Sequence, residues 1–143
     1  MISDYTFSTD KNKLDVKVIH DFLSTSYWAQ NIPVEIVKKS IENSFCFGVY
    51  FKGTQVGFAR VVTDHATFGY LADVFIVDEH RGKGLSKKLM EVIMSHPELQ
   101  GLRRFMLATR DAHKLYEQYR FKQLAKPERI MEIVVPDIYL KKN

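Results

Sequence analysis

The segment Val77-Asp78-Glu79-His80-Arg81-Gly82-Lys83-Gly84-Leu85-Ser86 concentrates the chemistry of this 143-residue chain. It lies between an apolar run and a helical pattern. At the start of a helix the first backbone N–H groups lack partners and the dipole is positive, and both attract an anion. Gly82 and Gly84 allow positive φ and close approach of a ligand to the backbone. Arg81 and Lys83 add positive charge. A pyrophosphate suits such a cradle; a plain strand-to-helix turn with convenient glycines is the alternative. Two nucleotide motifs are excluded. A P-loop needs GxxxxGK[ST], but Gly84 is followed by Leu85-Ser86-Lys87. A dinucleotide fingerprint needs a third glycine where Lys87 stands, early in a βαβ unit.

Arg81-Gly82-Lys83-Gly84-Leu85-Ser86 resembles the Q/R-x-x-G-x-G/A acetyl-CoA signature of the GNAT family of N-acetyltransferases, with Ser86 replacing the final Gly/Ala. Farther on, Ala112-His113-Lys114-Leu115-Tyr116-Glu117-Gln118-Tyr119-Arg120-Phe121 resembles that family's A-x-x-L-Y-E-K-x-G-F segment. Arg120 replaces the usual Gly, and Thr109 the usual Asn. The resemblance implies an acetyl-CoA-dependent N-acetyltransferase. The cofactor, a co-substrate here, would be held by Arg81, Gly82, Lys83, Gly84, Leu85 and Ser86, with Thr109 and Ala112 alongside. It further implies that pantetheine pairs with the strand before the cradle at Phe75, Ile76 and Val77, where a backbone N–H would polarise the thioester carbonyl. A non-catalytic acyl-CoA-binding or regulatory module of the same fold is the rival reading.

Acetyl transfer to an amine also needs a donor for the leaving thiolate and a way to deprotonate the acceptor. The resemblance points to Tyr116 for the first task. A phenol with a reference pKa of about 10 stays protonated where a thiol of about 8.5 begins to ionise. Packing at helical spacing with Leu115 and Tyr119 is the alternative for Tyr116, and Tyr119 is assigned to packing. For the second task the candidate is Asp73, which interrupts the apolar run Leu71 to Val77. A carboxylate there is costly unless paired or functional. Arg60 similarly breaks an apolar strand face, so an Asp73–Arg60 or Asp73–Arg110 ion pair competes with a base or acceptor-binding role. Glu79 and His80 are alternative bases, against a reading as solvated loop residues. Tyr27, Trp28, Arg60 and the strand-end segment Thr109-Arg110-Asp111-Ala112-His113 are the acceptor-side candidates, a helix N-cap being the alternative reading of Asp111. Two arginines and a net charge of +4 favour an amine that also carries an anionic group over a polyamine.

These groups need a scaffold. Tyr5 and Phe7 suggest an edge strand. Asp15 can cap a first helix, with Leu14 and Ile19 at staple spacing, and Pro33 suits the start of a second. Three strands follow, at 45–51, 55–62 and 68–77. In the first, Phe45, Phe47, Val49 and Phe51 share a face; in the second, Val56, Phe58, Arg60 and Val62 do. The third reads as a central strand covered on both faces. A helix is predicted at 85–95, a strand at 105–109 and a helix opening at Asp111. Closing strands are predicted at 121–124 and 130–135. This is an α/β (α+β) arrangement: a mixed, mostly antiparallel sheet with helices on both faces, in one domain over residues 1–143.

Composition agrees with that scaffold. The chain is 45% hydrophobic and 27% charged, with no linker or repeat. One cysteine, Cys46, excludes an internal disulfide and a CxxC zinc site, and no His/Cys/Asp/Glu cluster has metal-ligand spacing. No leader pattern or membrane-length apolar run is present, so a cytoplasmic location is expected, without membrane partners. The basic residues are scattered rather than striped, which argues against nucleic acid. Exposed sheet edges allow a homodimer.

Overall fold

The computed structural model describes residues 1–140. Its elements are β1 (Tyr5–Ser8), α1 (Val16–Leu23), α2 (Val34–Glu42), β2 (Phe45–Phe51), β3 (Thr54–Thr63), β4 (Phe68–Ile76), α3 (Leu85–Ser95), β5 (Arg104–Leu107) and α4 (His113–Glu117). The five strands form one sheet in the order β1-β2-β3-β4-β5. The first four are antiparallel neighbours; β5 runs parallel to β4. A parallel pair requires a crossover, and α3 supplies it.

Period-two alternation sends side chains to two cores. Phe47 and Val49 of β2, with Ala59 and Val61 of β3, pack under Leu85, Leu89, Met90 and Ile93 of α3. On the opposite face Cys46, Phe58 and Phe75 meet Ile19 and Leu23 of α1 and Val37 and Ile41 of α2. Each fully buried aliphatic contributes roughly 1.5–3 kcal/mol. Asp15 caps α1 as expected, accepting from the N–H groups of Lys17 and Val18, and Leu14 packs against the core that holds Ile19. Lys52 and Gly53, both at positive φ, turn the β2–β3 hairpin.

Two bulges alter the pattern. In β3, Val49 pairs with Gly57 while Tyr50 pairs with Gln55, so Val56 is an extra residue. It joins the α3-side core with Val61 instead of sharing the face of Phe58 and Arg60. In β4, Phe58 pairs with Phe75 and Arg60 with Ala72, leaving Asp73 and Val74 opposite the single residue Ala59. Asp73 adopts φ +56°, a conformation that aspartate tolerates better than most residues.

Three further expectations are corrected. The central strand is β3, and β4 is the penultimate one. The short helix α4 starts at His113, later than expected, and Asp111 does not cap it; the Thr109 hydroxyl accepts the Ala112 N–H at 3.0 Å instead. Residues 121–124 and 130–135 form no strand: among the described residues β5 pairs only with β4 and its outer edge is open.

Candidate active site

The register of the parallel pair creates the site. Pairing of β4 with β5 ends at Leu71 opposite Leu107, but β4 continues to Ile76. Beyond that point the two strands part, and a cleft of about 770 Å³ opens. Val74, Phe75 and Ile76 line one wall, Asp111, Ala112 and Tyr116 another, and Arg81, Gly82, Gly84, Leu85, Ser86 and Lys87 close one end.

That end is the glycine segment. Gly82 has φ +76° and Gly84 φ +79°, and Gly84 holds the N-cap position of α3 without any side-chain cap. The leading N–H groups of the helix are therefore left for an external acceptor. A Cβ added at either glycine would meet nothing within 4 Å, so these glycines answer to backbone conformation and face open space. Arg81 reaches back to donate from Nε to the Ile76 carbonyl at 3.0 Å and pairs with Asp78 at 2.9 Å. It thereby fastens the cradle to the end of β4. The Val77 N–H donates to the Val56 carbonyl at 2.8 Å, so it is not free to polarise a ligand. Strand alternation then directs the Ile76 N–H to the side where the strands part.

Across the cleft, Tyr116 is half-buried against Phe121. Burial holds its phenol above the usual tyrosine value, and neighbouring Tyr27 and Asp111 push the same way. Its hydroxyl makes no hydrogen bond among the described residues, whereas the Tyr119 hydroxyl is occupied by the Lys87 carbonyl at 3.0 Å. Tyr27 and Trp28 stand edge to face, 5.0 Å apart, and both line the cleft. The Arg110 guanidinium lies 3.8 Å from the Tyr27 ring centre.

Asp73 is ion-paired. Its Oδ2 accepts from Arg60 Nε at 2.8 Å and its Oδ1 from Trp28 Nε1 at 2.9 Å. The two side chains are 9% and 19% exposed, and Arg60 also donates to Ser44 Oγ. Of the two pairings weighed for Asp73, the one with Arg60 forms. Neither residue lines the cleft; nor do Val77, Lys83, Thr109 and Arg110. Asp111 and His80 line the cleft, and the structure adds Phe22, Val74, Lys87 and Leu115 to the lining. His80 is half-buried rather than solvated: its Nδ1 shares a 2.6 Å hydrogen bond with the Tyr5 hydroxyl.

The model of the acetyltransferase (GNAT) family matches residues 16–121, which contain both motifs and every wall of the cleft. The chain belongs to the GNAT acetyltransferase family. A protein of Gibberella zeae named "putative acetyltransferase" is 37% identical over 136 residues, covering 79% of this chain and 76% of its own. A GNAT-family crystal structure from Xanthomonas campestris is 51% identical, covers 96% of this chain and 97% of its own, and superimposes with a TM-score of 0.94. A GNAT-family acetyltransferase from Elizabethkingia anophelis, solved with acetyl-CoA bound, shares the fold at 9% identity and TM-score 0.62, over 81% of this chain and 74% of its own.

Proposed function

We propose that this GNAT domain, spanning the whole chain, transfers acetyl from acetyl-CoA directly to the amine of a small molecule or protein. The observation that carries the reading is one continuous cleft joining the uncapped α3 N-terminus, the free edge of β4 and the Tyr116 phenol. The Gly82–Ser86 backbone, with Arg81 and Lys83, receives the pyrophosphate. Pantetheine lies along Val74–Ile76, and the Ile76 N–H polarises the thioester carbonyl. Tyr116 hands its proton to the departing thiolate. The acceptor enters past Tyr27 and Trp28, and its ammonium is received by Asp111, which has no ion-pair partner among the described residues; the ammonium gives up a proton to water beside Asp111, the free amine attacks the thioester carbonyl as the C–S bond breaks, and the proton the new amide sheds restores the Tyr116 phenol. Asp73 does not touch the acceptor: by fixing the Trp28 indole it acts as a positioning residue, and Arg60 balances its charge. Arg110, displayed on Tyr27 beside Asp111, favours an acceptor that carries an anionic group near its amine. A single buried free thiol suits a reducing compartment such as the cytoplasm.

A panel of small amines and amine-bearing peptides, scored by acetyl-CoA-dependent release of free thiol, tests this. Turnover with an amine is expected, and amino-acid-like acceptors should outperform spermidine. Acetyl-CoA binding without thiol release for any amine would favour a binding module instead. Asp111→Asn should lower kcat/KM for the amine by about tenfold or more and leave acetyl-CoA affinity unchanged.

A further inference from the structure

The acceptor end of the cleft is walled by aromatic rings. Phe22 of α1 and Phe75 of β4 stack nearly parallel, 4.0 Å apart at 6°. Trp28 follows at 6.3 Å from Phe22, and Tyr27 stands 5.0 Å from Trp28 at 81°. All four line the cleft. Folding leaves the outer two open, with Tyr27 53% and Trp28 44% exposed. Large rings left uncovered at a concave site mark a surface that binds.

The Trp28 ring is also fixed. Its Nε1–H donates to Asp73 Oδ1 at 2.9 Å, Asp73 Oδ2 accepts from Arg60 Nε at 2.8 Å, and Arg60 Nη1 donates to Ser44 Oγ at 3.1 Å. With its one donor occupied, the indole offers a ligand only its π surface. A ring already held in place loses little freedom on binding, which strengthens association. Charge stands next to this wall. Asp111 lines the cleft, and the Arg110 guanidinium lies over the Tyr27 ring, 3.8 Å from its centre. Neither has an ion-pair partner among the described residues. They are successive residues, with Cα atoms about 3.8 Å apart, so an anion and a cation flank one spot beside the rings.

We infer that the acceptor half of the cleft takes a free aromatic α-amino acid. One carbon of that molecule carries an ammonium for Asp111, a carboxylate for Arg110 and a ring that packs on Trp28 and Tyr27. The inference rests on the acetyl-transfer reading above and narrows its acceptor. The α-nitrogen bonds to the acetyl carbon and the C–S bond breaks, which leaves an N-acetyl amino acid, the CoA thiol and one proton released to water. An aliphatic amino acid satisfies both charges but leaves the rings wet. An arylalkylamine covers the rings but leaves Arg110 without its anion, and the N-terminus of a peptide lacks the carboxylate in the same way.

Trp28 is the chain's single tryptophan, so its emission reports on the wall. L-Phenylalanine titrated into the full chain should change that emission saturably, and L-alanine at the same concentration should not. In thiol-release assays kcat/KM should fall about 10–100-fold from L-phenylalanine to L-alanine, the scale of burying one large side chain. It should fall about tenfold from L-phenylalanine to its amide or to phenethylamine. Trp28→Leu, shown to be folded by circular dichroism, should narrow the first gap, and Arg110→Ala the second. Phenylalanine binding without thiol release from acetyl-CoA would uphold the ligand and sink the transfer reading. Turnover of other amines with no response of Trp28 to phenylalanine would overturn the inference and leave transfer standing. Equal kcat/KM for phenylalanine and alanine, equal values for phenylalanine and its amide, or a preference for peptide N-termini would overturn it as well.

Discussion

Tyr116 and Asp111 share one wall of the cleft. In the proposed reaction the phenol keeps its proton until the thiolate leaves, and three causes hold it there: burial first, then Tyr27 and Asp111. A group whose protonated form is needed works below its pKa and fails above it. Raising the Tyr116 value therefore moves its loss of function beyond a pH of about 10. Any alkaline fall in kcat at lower pH must come from another group, and a pH–rate profile of the wild type checks this. Tyr116→Phe keeps the packing against Phe121 and removes only the donor. kcat should fall about 10–1000-fold while KM for acetyl-CoA changes little. Steady-state kinetics, with single turnovers confirming that chemistry limits the rate, would show whether the phenol or a water serves the thiolate.

At the scale of elements, the cradle depends on two left-handed glycines at the start of α3. A side chain at Gly84 costs about 1–2 kcal/mol of backbone strain but meets no atom. Gly84→Ala should therefore destabilise modestly and retain acetyl-CoA binding. Gly84→Glu carries the same strain and adds a carboxylate where phosphate belongs, so it should abolish binding in a folded protein. Calorimetry on the pair separates charge from strain. The cradle was legible in the sequence because everything it needs is local: an apolar strand, glycines and an amphipathic helix in succession. The cap of α1 was legible for the same reason, since Asp15 and the N–H groups it accepts are neighbours. The bulges at Val56 and at Asp73–Val74 were not, because a bulge is a relation between two strands and each strand read alone keeps its alternation. Asp73 shows the consequence. Its charge within an apolar run was visible, but that Arg60 and Trp28 occupy both its oxygens depends on register. The strand read from composition at 130–135 does not form among the described residues, because β-branched composition alone supplies no pairing partner.

Across the whole molecule, the sheet separates two cores, and Cys46 reports on one of them. Its thiol lies in the layer shared by α1, α2 and the sheet, 1% exposed, within reach of the Ile41 and Ser44 carbonyls. Burial pushes its pKa up to about 11. A thiolate is the reactive form, so the native protein at pH 8 should resist a thiol reagent for want of both access and ionisation. The sign of the stability effect follows. The folded state holds the proton and the unfolded chain releases it near the ordinary thiol value of about 8.5. This group's contribution is therefore complete below that pH and is lost as pH rises toward 11. Cys46→Ala should flatten that part of the stability–pH curve, at the expense of a small cavity. Labelling also tests how the two layers are coupled. Phe58 and Cys46 on one face alternate with Phe47 and Ala59 on the other, so the same strands build both cores. Detaching α1 and α2 would expose one face of β2 and β3 without breaking their pairing. If the layers unfold as a unit, the urea dependence of Cys46 labelling should match that of global unfolding followed by circular dichroism. A shallower dependence would mean that α1 and α2, which carry the Tyr27–Trp28 wall of the cleft between them, open separately from the sheet and α3.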